Sequence, residues 1–196
     1  MDGLPDPLAW LEEEDTATRA DRAGRAAWLV RKGWPESGWI FFGDLGIIGP
    51  WDELRRTFIN GEYLATILVG QAFLENVLAG LLEWPEGSVG RAGLAEILAQ
   101  VRDRGWITPD EHDVLDTVRQ MRNPYAHYRN VQHGDSLIRR AMAAGEPPEL
   151  LVERDARAVV GALFHLVNRH PFALGPIVYP EDDEPLVHPD QTQLHV

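Results

Sequence analysis

Cysteine is absent from the 196 residues, which excludes a disulfide framework, thiolate zinc sites, iron–sulfur clusters and a cysteine nucleophile. Lysine is nearly absent: Lys32 stands against seventeen arginines, a bias that GC-rich coding alone can produce. Positive charge of any kind is scarce. The chain carries 18 basic against 31 acidic residues, for a net charge of -13. That balance argues against a nonspecific nucleic-acid coat, because phosphate binding needs a basic face. The opening Met1-Asp2-Gly3-Leu4-Pro5 has no basic run and no apolar run. No secretory signal is read there, and a cytoplasmic location is expected. What is plentiful is apolar side chain, 44% of the residues, enough to fill the core of one domain of ordinary size.

The acidity is concentrated. Glu12-Glu13-Glu14-Asp15 and Glu181-Asp182-Asp183-Glu184 hold eight of the acidic charges and leave -5 for everything else. Between Arg119 and Arg140 the sign reverses: five arginines and the single acid Asp135 give a local +4. A local basic site therefore remains open.

Hydrophobic spacing predicts helices almost throughout. Residues 6–31 read as a charged helix with a sparse apolar side that includes Trp10, Leu11, Trp28 and Leu29. A Gly/Trp/Phe-rich connection follows from Lys32 to Pro50, in which Trp39-Ile40-Phe41-Phe42 reads as a strand or a packed loop. The strongest helix is expected from Trp51 to Glu83, ended by Trp84-Pro85. Its run Leu64–Leu82 is long enough to suggest a membrane span, but Gln71, Glu75 and Asn76 fall inside it and would be costly in lipid. No membrane association is expected. Further helices are read at 91–104, from Thr108-Pro109-Asp110-Glu111 onward (a capping box with proline at the first position), at 136–144 ended by Gly145, and at 148–169. The expected division is 1–50 as a helix and connection packed on the core, 51–170 as the bundle, and 171–196 as an acidic, Pro-rich, poorly ordered tail. The fold class is all-α, a bundle of four to six helices.

Several motifs dissolve on inspection. Gly134-Asp135-Ser136-Leu137 spells an esterase motif, but it lies between two helices, where Ser136 or Asp135 is better read as a helix cap. Gly87, Gly90 and Gly93 have neither dinucleotide nor phosphate-loop spacing. The seven histidines never fall at i, i+4 on one helix, so neither a metal nor a cofactor is expected.

Arg119-Gln120-Met121-Arg122-Asn123-Pro124-Tyr125-Ala126-His127-Tyr128-Arg129 is different. Proline inside a helix removes a backbone donor and disfavours helical geometry before it. The expectation is a break, with Asn123 as N-cap of a restarted helix. Arg122 and His127 are five apart, ~140° around an unbroken helix, and a break brings both to one side. Arginine, histidine and a helix start together suit a phosphodiester.

Arg122-Asn123-x-x-x-His127 resembles the Arg-polar-x-x-x-His motif of HEPN domains, helical bundles of prokaryotic toxins, defence proteins and RNA-processing factors. The helix Leu64–Glu75 is similar as well, and the resemblance spans roughly 51–169. It implies a HEPN-like bundle and a metal-independent endoribonuclease, a toxin or antiviral-defence effector. It also implies a homodimer with a composite cleft, an RNA substrate, and an antitoxin or regulatory protein as partner. On that resemblance Arg122 binds the scissile phosphate, His127 is general acid or base, and Asn123 orients the motif. The tyrosine modified in some family toxins lies two residues after the histidine; here Tyr128 follows directly and Arg129 takes that place. Arg119 and Arg129 are candidates for substrate binding. Heptad spacing from Leu64 through Leu68, Gln71, Glu75, Leu78 and Leu82 puts Gln71 and Glu75 on a core-facing stripe, with Arg122 or His127 as the expected partner of a buried carboxylate. Two other readings remain: a noncatalytic module binding nucleotide, RNA or protein, and a helical interaction protein without a ligand.

Overall fold

A computed structural model describes residues 6–34, 39–41, 45–86, 92–126, 130, 132–170 and 173–176. Among these the regular structure is helical except for a two-stranded ribbon. In order come α1 (Pro7–Arg31), β1 (Trp39–Phe41), α2 (Leu45–Asn60), α3 (Tyr63–Glu86), α4 (Leu94–Asp103), α5 (Pro109–Met121), α6 (Asn123–Ala126), α7 (Leu137–Ala144), α8 (Pro148–Arg169) and β2 (Ala173–Pro176). The all-α expectation holds, with more helical segments than the four to six expected.

One extra segment arises where a single helix over 51–83 was expected. Gly61 takes a left-handed backbone with φ +81°. Its N–H donates to the Phe58 carbonyl, and the Glu62 N–H reaches back to the Thr57 carbonyl at 2.9 Å. Those paired bonds close α2 in a Schellman turn, a geometry that a side chain at 61 would strain. α3 then starts afresh, and the Thr66 hydroxyl donates to the Thr57 hydroxyl at 3.1 Å in the buried seam between the two helices. At its other end α2 begins at Leu45, earlier than expected, and contains Pro50. Proline has no N–H for the Gly46 carbonyl one turn back. The Asn76 amide of α3 donates to that carbonyl instead, at 2.8 Å.

α3 lies against α2, α4 and α8. It lies close against α8 at Gly70, where a Cβ would come 2.6 Å from Val159 Cγ1. The segment Tyr63–Glu83 is long and apolar enough to cross a membrane by length and composition, yet 44% of its most apolar window is buried inside the bundle. The core-facing stripe needs correction. Gln71, Leu78 and Leu82 are buried, whereas Leu64 and Leu68 are exposed and Glu75 is half-buried. The drift is the expected one, because a straight helix turns away from a seven-residue spacing.

α1 is capped by Asp6, whose carboxylate accepts from the Leu8 N–H at 3.1 Å. Its first turns are exposed, Trp10 included, and it meets the core through Trp28 and buried Leu29. Just beyond α1, buried Trp34 stacks on Trp51 with centroids 4.5 Å apart, and Phe164 of α8 packs on both. This aromatic knot ties the end of α1 to α2 and α8. β1 pairs antiparallel with β2, Trp39 opposite Pro176. Residues 173–176 thus form a strand inside the segment expected from 171 onward to be a poorly ordered tail; the rest of that segment lies outside the described residues.

Candidate functional site

α5 begins as its sequence requires. The Thr108 hydroxyl accepts from the Glu111 N–H, and the Glu111 carboxylate accepts from the Thr108 N–H at 2.8 Å. The helix ends at Met121, and Arg122 stays right-handed helical at φ -65°, ψ -34°. α6 follows at once, with the Tyr125 and Ala126 N–H groups both donating to the Arg122 carbonyl at 2.9 Å. The expected break is thus a jog in the hydrogen-bond ladder rather than an excursion. Asn123 enters α6 as its first residue and does not cap it from outside, because Arg122 before it is already helical.

Arg122 is half-buried at this jog. Every other described arginine from 119 to 169 has a side-chain partner: Arg119 with Asp116, Arg139 with Gln132, Arg140 with Asp155, Arg154 with Glu146, Arg157 with Glu153, and Arg169 with Glu111. No described side chain pairs with Arg122, and none ion-pairs with Glu75. Arg119, expected to meet substrate, is held by Asp116 at 2.6 Å, and that contact in turn depresses the Asp116 carboxyl. His127, Tyr128 and Arg129 lie outside the described residues. On α3, which touches both α5 and α6, Gln71 is buried and its Oε1 accepts no hydrogen bond from a described residue.

Tyr125 fixes α6 to the bundle. Its hydroxyl donates to Asp155 Oδ2 of α8 at 2.8 Å, and the same oxygen accepts from Arg140 Nη2 of α7 at 2.6 Å. Asp155 is only 3% exposed. Burial and then the facing Asp155 carboxylate push the Tyr125 phenol up to about 12. Asp155 raises the Arg140 guanidinium against the opposing pull of burial. Three helices meet on this one carboxylate oxygen, and one of them carries the motif.

A second charged cluster lies at the other end of α8. Glu111 is 7% exposed, and its Oε1 faces His170 Nε2 at 3.1 Å, His165 Nε2 at 3.4 Å and Arg169 Nε at 3.8 Å. Burial alone would raise the Glu111 carboxyl. The Thr108 backbone N–H, His170 and the Thr108 hydroxyl outweigh it and hold the carboxyl down at about 2. Among the described residues no group of three His, Cys, Asp or Glu is disposed to hold a metal ion.

No family model, curated protein or solved structure matches this chain.

Function therefore has to be read from the side chains themselves. Sequence spacing singled out Arg122 but missed the Glu111 cluster, for a physical reason. Glu111 read as the closing residue of a capping box, and it is one, with Oε2 engaged by Thr108. Its other oxygen is engaged from more than fifty residues away. The available signal was His165-x-x-x-Arg169-His170, three basic groups gathered at the C-terminal end of α8.

Proposed function

We propose that the chain is a HEPN-type endoribonuclease that cleaves RNA through its own 2′-hydroxyl. The observation that carries this is Arg122: a half-buried arginine at a helix jog, without a described partner, whereas Arg119, Arg139, Arg140, Arg154 and Arg157 each hold an acceptor at 2.6 Å or closer. Such a group retains its hydrogen-bonding capacity for a phosphate, which guanidinium matches geometrically. Five residues on stands His127, whose unperturbed side chain titrates near pH 6.5, about where an acid–base catalyst of RNA transesterification works best. In this reading the 2′-oxygen attacks the adjacent phosphorus while a histidine takes its proton. Arg122 stabilises the crowded dianionic phosphorane, and the 5′-oxygen leaves with a proton from a second histidine. One histidine per chain supplies one of those proton transfers. Two copies related by a two-fold axis, with both motifs on one cleft, supply both. The same reading extends to a toxin or defence role in the cytoplasm, with an antitoxin or regulatory protein as partner.

The test is cleavage of end-labelled RNA by the purified chain in EDTA. The expected products carry a 2′,3′-cyclic phosphate and a 5′-hydroxyl, and DNA of the same sequence stays intact. Arg122→Ala and His127→Ala should each abolish cleavage with melting temperature unchanged. Loss of activity in chelator, or equal cleavage of DNA, overturns the mechanism. RNA binding that needs Arg122 but yields no product identifies the noncatalytic alternative. A monomer by light scattering at micromolar concentration overturns the composite cleft.

A further inference from the structure

The Glu111 cluster closes one end of a groove between α5 and α8 with a volume of about 510 Å³, a size that holds a small organic molecule. Its walls are apolar: Val114 and Leu115 on α5, Ala158, Ala162 and Leu166 on α8. Val114 is 52% exposed there, an apolar side chain facing open space. Gly161 lies along the groove and contributes no side chain, and a Cβ built on it meets nothing within 4 Å. Room along the helices is thus real rather than a gap between touching side chains.

The polar end is built around a buried anion that is already saturated. Glu111 Oε2 accepts from the Thr108 N–H and hydroxyl, and Oε1 takes the imidazoles. It orients His165 and Arg169 and has no oxygen left over for a ligand. His165 and Arg169 both line the groove, with side chains 54% and 59% exposed. Arg169 comes no nearer to Glu111 than 3.8 Å, beyond hydrogen-bond length, and no described residue accepts a hydrogen bond from it, which leaves its donors to an incoming acceptor. A guanidinium and an imidazole at the mouth of an apolar trough match a molecule with a carboxylate at one end and hydrocarbon behind it. Asp110, on the α5 side of the rim, repels an anion there and biases the carboxylate toward α8.

We infer that this groove binds a small amphipathic carboxylate, a medium-chain fatty acid or an aryl alkanoate. The carboxylate lies on Arg169 and His165, and the apolar body lies across Val114, Ala158 and Gly161. The site is separate from the Arg122 jog and does not depend on RNA cleavage.

The experiment is calorimetric titration of the full chain with octanoate, 1-octanol and octylammonium. Heteronuclear NMR would report which amides move. Octanoate should saturate at one per chain and bind at least tenfold more tightly than either analogue, with shifts confined to residues 108–115 and 158–169. Arg169→Gln and His165→Gln, both at exposed side chains, should each weaken octanoate at least fivefold and leave octanol unchanged. Gly161→Leu should fill the trough and remove binding of all three without lowering the melting temperature. Octanoate binding no tighter than octanol, binding that survives Gly161→Leu, or no saturation at millimolar ligand overturns the inference.

Discussion

The two ends of α8 perform the same task with different chemistry. Near its start, Asp155 ties α6 and α7 to α8 through Arg140 and Tyr125. Near its end, Glu111 of α5 is tied to α8 through His165, Arg169 and His170. Asp155 and His165 are ten residues apart, about 15 Å along the helix axis. Both carboxylates are buried and both accept several donors. The difference is the partner. Asp155 relies on a guanidinium that stays charged at any physiological pH and on a phenol held protonated by burial and by that same carboxylate. Glu111 relies on a local cap and, at its other oxygen, on imidazole nitrogens 3.1 and 3.4 Å away. One end is a short, closed fastening; the other combines a cap with longer contacts and opens onto a groove.

Removing each carboxylate tests that contrast most directly. Asp155→Ala strands the partly buried Arg140 and unlinks Tyr125, and should cost about 3 kcal/mol in denaturant unfolding, the low end for a broken buried pair because Arg140 is a quarter exposed and rehydrates in part. A cost below about 1 kcal/mol would mean that this end is not a fastening at all.

Glu111→Ala should cost less at pH 7, about 2 kcal/mol, from the lost capping box together with the imidazole contacts. Its cost should also depend on pH. The folded carboxyl is held at about 2 against an ordinary value of 4.5, so its stabilisation is complete above about pH 4.5 and is lost as pH falls toward 2. Wild type and Glu111→Ala should therefore converge in stability as the solution is acidified. Parallel curves across that range would place the stabilisation in packing instead of charge.

Tyr125→Phe removes one hydrogen bond to Asp155 and leaves Arg140 in place, for about 1 kcal/mol by thermal melting. His165→Gln should be smallest, within about 0.5 kcal/mol, because the ring is half exposed and 3.4 Å from Glu111. A larger loss there would make the second end as much a fastening as the first.

What could be read from the sequence divides along similar lines. The capping box of α5, Ser136 as the cap of α7 and Gly145 at its end are written in adjacent residues, and each stands where it was expected. The split between α2 and α3 was also local, but an apolar pattern running through Gly61 concealed it. Trp39–Phe41 reads equally as strand or loop in sequence because its partner lies at 173–176, and nothing in a three-residue strand specifies a match so distant. Glu111 shows the limit most clearly: its short-range bonds were legible, its long-range ones were not. Arg122 stands out by its spacing from His127, whereas the absence of an acidic partner among the described residues follows only from the long-range positions of the neighbouring arginines and carboxylates.

Gly70 has a consequence for sequence change. A methyl group there would come within 2.6 Å of Val159 and close to Leu54 and Leu163. Positions 70 and 159 therefore share a single allotment of volume: what α3 gains, α8 must give up. Viable variants with alanine at 70 should be found carrying a smaller residue at 159, and the two positions should change together or not at all.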